Sequence, residues 1–202
     1  LEKPTGVKAV SYSYNSVRLT WNAVSGADGY RIYRKTSSTS YKIIKDGLTG
    51  TGYTSGGLST GTTYYYKVRP YTLVGSTREY GTASTFVRGR PVAAAPTGVA
   101  AVPYSSSSVR LVWNVVSGAD GYRIYCKTSS TPYKVIKDGL KATGYTNSGL
   151  NTGTTYYYKV RPYTQKGSTR VYGTASTFVR GMPAAIVPTG VKAVSYSYNS
   201  VR

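Results

Sequence analysis

The strongest constraint in this chain is its self-similarity. Pro4-Thr5-Gly6-Val7 recurs as Pro96-Thr97-Gly98-Val99 and again as Pro188-Thr189-Gly190-Val191, a period of 92 residues. Positions 4–91 and 96–183 align without a gap at 70 identities in 88, and residues 188–202 repeat residues 4–18 without a change. The match of the third segment to the first copy gives a super-period of two repeats. A unit this long exceeds a helical solenoid repeat and suits a self-contained β-sandwich of about 100 residues. The chain therefore divides into a domain over 1–91, a linker at 92–95, a second domain over 96–183, a linker at 184–187 and the truncated start of a third repeat at 188–202. One strand and half of the next cannot bury a core, so the natural protein is expected to continue into further repeats, or this tail to pair with another chain.

The residue usage is that of strands and turns. The chain has 23 Tyr and 23 Gly but only two Phe and one Met. Tyr, Thr and Val suit a pleated, half-buried surface, while Gly, Ser, Asn and Asp supply turns. No window keeps a helical period. In the first copy the alternation predicts strand A over 7–10, B over 17–21, C over 29–35, C′ over 41–45, E over 51–54, F over 62–72 and G over 80–88, with reversals at Asp28-Gly29 and Asp46-Gly47.

Two motifs make the architecture specific. Trp21-Asn22-Ala23-Val24-Ser25-Gly26-Ala27-Asp28-Gly29-Tyr30-Arg31-Ile32-Tyr33 resembles the B–C region of bacterial fibronectin type III domains. Leu58-Ser59-Thr60-Gly61-Thr62-Thr63-Tyr64-Tyr65-Tyr66-Lys67-Val68 resembles their E–F corner and F strand. Both recur, over 113–125 and 150–160. The resemblance implies an all-β fold of tandem immunoglobulin-like sandwiches. It further implies that Tyr64 forms a tyrosine corner, its hydroxyl bonded to nearby backbone. Period two along F turns Tyr64, Tyr66 and Val68 inward and Tyr65, Lys67 and Arg69 outward. Trp21, Tyr30 and Tyr64, with Trp113, Tyr122 and Tyr156, accordingly read as core.

Catalytic chemistry finds few residues to work with. The chain has no His, and its six acidic residues are Glu2, Asp28, Asp46, Glu79, Asp120 and Asp138. Four of these fall in Asp-Gly pairs, Glu79 is Val171 in the second copy, and Glu2 lies outside the repeat. A general base, a metal set and a phosphate loop opening a helix are not recognisable, so no enzyme, metal or cofactor is expected. Gly75-Ser76-Thr77 and Gly167-Ser168-Thr169 read as F–G turns. The single Cys126 stands where the first copy has Arg34; it reads as a tolerated substitution, with an intermolecular disulfide as the other option.

What remains is charge. With 26 basic residues the formal net charge is +20, which attracts polyanions and keeps molecules apart. On the C–C′–F–G sheet Arg31, Tyr33, Tyr65, Lys67 and Arg69 are predicted to face outward together, with Lys42 and Lys45 beside them. Arg123, Tyr125, Tyr157, Lys159 and Arg161, with Lys134 and Lys137, repeat the pattern. Flat tyrosine rings among cations suit an anionic glycan, a teichoic-acid-like polymer or nucleic acid, the last by non-specific attraction; outward Lys and Arg equally serve to block edge aggregation. No stretch is apolar enough to span a membrane. The short proline-bounded joins predict a semi-rigid string of domains. The expected role is a non-catalytic spacer or display segment of an extracellular bacterial repeat protein, including a surface fibre contacting copies of itself. The alternatives are a binding module for an anionic cell-surface polymer, and an accessory part of a secreted glycan hydrolase or a phage structural protein.

Overall fold

The computed structural model describes residues 1–185, and all regular structure among them is β-strand. The expected third-repeat start at 188–202 lies outside the described residues. In the first copy β1 (Lys8–Ser13), β2 (Ser16–Thr20) and β5 (Gly52–Ser55) form one sheet in the order β1-β2-β5. The facing sheet runs β4 (Lys42–Leu48), β3 (Gly29–Lys35), β6 (Tyr64–Val74) and β7 (Thr77–Tyr80), with β8 (Val87–Gly89) also on β6. The second copy repeats this plan with β9 (Ala100–Ser105), β10 (Ser108–Val112) and β13 (Gly144–Ser148) in the smaller sheet. Its larger sheet has β12 (Lys134–Leu140), β11 (Gly121–Lys127), β14 (Tyr156–Lys166), β15 (Thr169–Tyr172) and β16 (Val179–Gly181).

Each sandwich closes on a core that period two selects. Val17 and Leu19 of β2 meet Tyr30 and Ile32 of β3 and Tyr64, Tyr66 and Val68 of β6, all buried. Trp21 packs edge-on to Tyr30 with ring centroids 5.3 Å apart, and Trp113 does the same with Tyr122. Two of the core tyrosine hydroxyls are satisfied by backbone: Ser59 N–H donates to the Tyr64 hydroxyl at 3.0 Å, the expected corner, and Val24 N–H to that of Tyr30 at 2.9 Å.

Three expectations need correction. Strand G is not continuous over 80–88 but splits into β7 and β8 around an irregular stretch at 81–86. The cause lies in β6. Pro70 accepts from Gly81 N–H at 3.0 Å, so its proline nitrogen, which has no hydrogen, faces the same edge. With that ladder position lost, the chain steps away. Ser84 then replaces the missing strand contact, its N–H donating to Val68 O at 2.8 Å while its Oγ accepts from Val68 N–H at 3.0 Å.

Asp46-Gly47, expected as a reversal, is instead a bulge within β4. The register passes from Tyr30↔Leu48 to Ile32↔Lys45, so an extra residue is accommodated, with Gly47 at φ 70°. The bulge swings the Asp46 carboxylate over the outer face of the sheet. Asp28-Gly29 is likewise no hairpin: Asp28 accepts from Leu73 N–H at 2.6 Å and from the Thr72 hydroxyl at 3.0 Å, fastening the loop before β3 to the far end of β6.

Candidate functional site

The ten residues expected on the outer face do share it, in two equivalent sets, and all are half-buried. Antiparallel register puts Arg31 opposite Arg69, Tyr33 opposite Lys67 and Lys35 opposite Tyr65. The second copy pairs Arg123 with Arg161, Tyr125 with Lys159 and Lys127 with Tyr157. Lys42, Lys45, Lys134 and Lys137 are exposed on the neighbouring strands.

The face is largely engaged with itself. The Arg31 guanidinium lies 3.9 Å from the Tyr80 ring centre and bonds Asp46 at 2.6 Å; in the second copy Arg123 lies 4.1 Å from Tyr172 and 2.5 Å from Asp138. Arg69 covers the other side of this cluster, its Nε donating to Gly81 O at 2.7 Å, as Arg161 does to Gly173 O at 2.8 Å. Lys35 and Lys67 stand 5.2 and 5.1 Å from the Tyr41 ring centre, and Tyr65 meets Phe86 edge-on at 5.6 Å. Cations and rings therefore alternate along the sheet, each contact worth about 0.5–1 kcal/mol when exposed.

Asp46 is the electrostatic centre of this arrangement. It accepts from Arg31, from Arg78 at 3.3 Å, from the Tyr80 hydroxyl at 2.9 Å and from Gly47 N–H at 3.0 Å. The Arg31 guanidinium, above all, holds its carboxyl down to about 2, and raises the arginine's own affinity for its proton in return. Asp138 is lowered for the same reason by Arg123.

The sequence reading missed Tyr80, Tyr41, Lys35, Phe86 and Asp46 as members of the face. Lys35 follows from Arg31 and Tyr33 by period two; Asp46 does not, because only the bulge brings it there. In the first copy the face borders an open depression of about 710 Å³ lined by Tyr33, Tyr41, Lys67, Arg69, Tyr80 and Leu1. Cys126 lies on the opposite, inner side of β11: it is buried, burial pushes its thiol pKa up, and Asn147 Nδ2 is 4.0 Å from its sulfur. Among the described residues no group of three or more His, Cys, Asp or Glu is placed to hold a metal ion, and no helix is long and apolar enough to cross a membrane.

Two sandwiches in series, each with a three-stranded sheet facing a bulged four-strand path, a tyrosine corner and a tryptophan on the C-strand tyrosine, define a tandem immunoglobulin-like β-sandwich protein. The chain belongs to the fibronectin type III domain family, whose model matches residues 2–87 and 94–178. Its curated relatives include exoglucanase B of Cellulomonas fimi, 27% identical over 96% of this chain and 18% of that protein, and chitinase A1 of Niallia circulans, 27% identical over 78% and 23%. The chain thus spans about a fifth of the length of these relatives. A two-domain fibronectin type III segment of chicken tenascin superposes with a TM-score of 0.51 at 18% identity, over 89% of this chain and 97% of that one, which shows the shared fold.

Proposed function

We propose that the chain is a non-catalytic spacing and display segment of an extracellular repeat protein, holding other parts of that protein apart in a fixed orientation. The observation that carries this reading is the engagement of the outer face with itself. Arg31, Arg69, Arg123 and Arg161 are bonded within the fold, and Lys67 and Lys159 rest against Tyr41 and Tyr133, so the surface is built for rigidity in water before it is built for a ligand. Relatives named exoglucanase and chitinase support one setting for such a segment, as an accessory part of a protein that degrades a glycan.

A second reading is favoured by the net charge of +20 and by the depression beside Lys67 and Tyr41: a module that adheres to an anionic cell-wall polymer through Tyr33, Tyr65, Lys67 and their copies. Titration against teichoic acid, heparin and DNA over a salt series separates the two. A spacer gives weak binding that falls steeply with salt and ranks the polymers by charge density alone. The Tyr65→Ala and Tyr157→Ala variants then bind as the parent does. A polymer preference that disappears in those variants replaces the spacer reading with the binding one.

A further inference from the structure

The two copies differ at 18 of 88 aligned positions, and several of those differences fall where the copies touch each other. Tyr14, in the β1–β2 turn of the first sandwich, packs against the core of the second; the equivalent residue is Ser106. Its ring lies directly over Gly118, at φ 73°, where a Cβ would overlap it. The equivalent Gly26 has only a Leu1 methyl at 3.6 Å. Val171, on β15, is buried to 8% exposure, and its methyls sit 2.9 Å from where a Gly61 Cβ would stand. Its counterpart Glu79 is exposed, and Gly153, the counterpart of Gly61, has nothing within 4 Å. Lys166 donates to the Thr62 hydroxyl across the join at 3.1 Å, where the first copy has Val74. Ser11 clasps the linker, accepting from Val92 N–H at 2.9 Å and donating to Val92 O at 3.2 Å, where the second copy has Pro103.

We infer that this join is a directional interface between repeat types: the trailing end of a first-type repeat fits the leading end of a second-type repeat, and the opposite order lacks the fit. In the opposite order Ser106 leaves the place of the Tyr14 ring unfilled. Pro103 offers no hydroxyl to the linker, and a Glu79 carboxylate replaces Val171 in a position that the fit would bury, where an unpaired charge is costly. The partner this surface takes is therefore another repeat of the same family, selected by an aromatic ring, a glycine and a valine. The rigid unit is the pair of sandwiches, and relative motion, the default between domains in series, is suppressed inside the pair. At the position of Tyr14 the third segment carries Tyr198, so by sequence it opens a repeat of the first type.

The inference stands apart from the spacer reading, since a loosely jointed chain also separates what it connects. It is tested on the full chain by residual dipolar couplings of the backbone amides. In the parent chain both sandwiches are expected to report one shared alignment tensor. The variant Tyr14→Ser with Val171→Glu, in which each new residue already occupies that position in the other copy, is expected to give two tensors of unequal magnitude. Amide shifts within β3, β6, β11 and β14 are expected to stay unchanged. Ser106→Tyr, at the far end of the second sandwich, is expected to leave the shared tensor intact. Gly118→Ala is expected to loosen the join while Gly26→Ala, with the same backbone strain and no facing ring, does not. Two independent tensors in the parent, or one shared tensor surviving both Tyr14→Ser with Val171→Glu and Gly118→Ala, overturns the inference.

Discussion

At Asp46 a single carboxylate joins three strands, through Arg31 on β3 and through Arg78 and Tyr80 on β7. Its folded pKa of about 2 lies below the ~3.9 of an unfolded aspartate, so the native state favours the ionised form. The stabilisation is fully present above about pH 4 and is lost as pH falls through about 2. Its size is about 1–2 kcal/mol once solvent screening of a side chain with 26% exposure is allowed for. Urea unfolding followed between about pH 6 and about pH 2 is expected to show this loss in the first sandwich, and Asp46→Asn is expected to flatten it. An unchanged pH profile in Asp46→Asn would mean that the pairing contributes nothing to stability.

Among the elements, β4 and the β7–β8 segment separate what alternation makes legible from what it does not. The C strand was readable to the residue, because Gly29–Lys35 alternates between core and face without interruption. The inward tyrosines followed from the same rule, whereas the sandwich was legible from the repeat length and the corner at Tyr64 from the resemblance of its motif. The Asp46-Gly47 bulge was not readable, since an Asp-Gly pair signals a reversal and a bulge alike. With it went the ion pairs that tie down the predicted binding arginines. The break in G depended on which edge of β6 Pro70 presents, a fact of register rather than of composition. Gly47→Ala is expected to destabilise the first sandwich by about 1 kcal/mol or more, because φ 70° disfavours a side chain and the Arg78 guanidinium occupies the space. Faster hydrogen exchange confined to β3 and β4 is the measurement that locates the effect; exchange spread over the whole sandwich would place the strain elsewhere.

For the whole molecule, 26 basic residues against 6 acidic ones make self-repulsion a property of the folded chain. Raising the salt from about 0.01 M to about 0.15 M shortens the screening length from about 30 Å to about 8 Å. The unfolding temperature is expected to rise over that range, and a fall would show that local pairs such as Arg31–Asp46 outweigh the long-range repulsion. Near-identity of the copies creates a hazard of another kind while the chain folds, because β3 and β11 compete for the same partners and are identical except at Arg34 and Cys126. Across each core those two residues meet matched neighbours: Arg34 donates to the Ser55 hydroxyl at 3.0 Å, and Cys126 lies beside Asn147, which donates to the Tyr158 hydroxyl at 3.2 Å. A strand exchanged between copies would set Arg34 against Asn147 or the thiol against Ser55. In either exchanged arrangement the Arg34–Ser55 hydrogen bond is lost, so only strands paired within their own copy recover it.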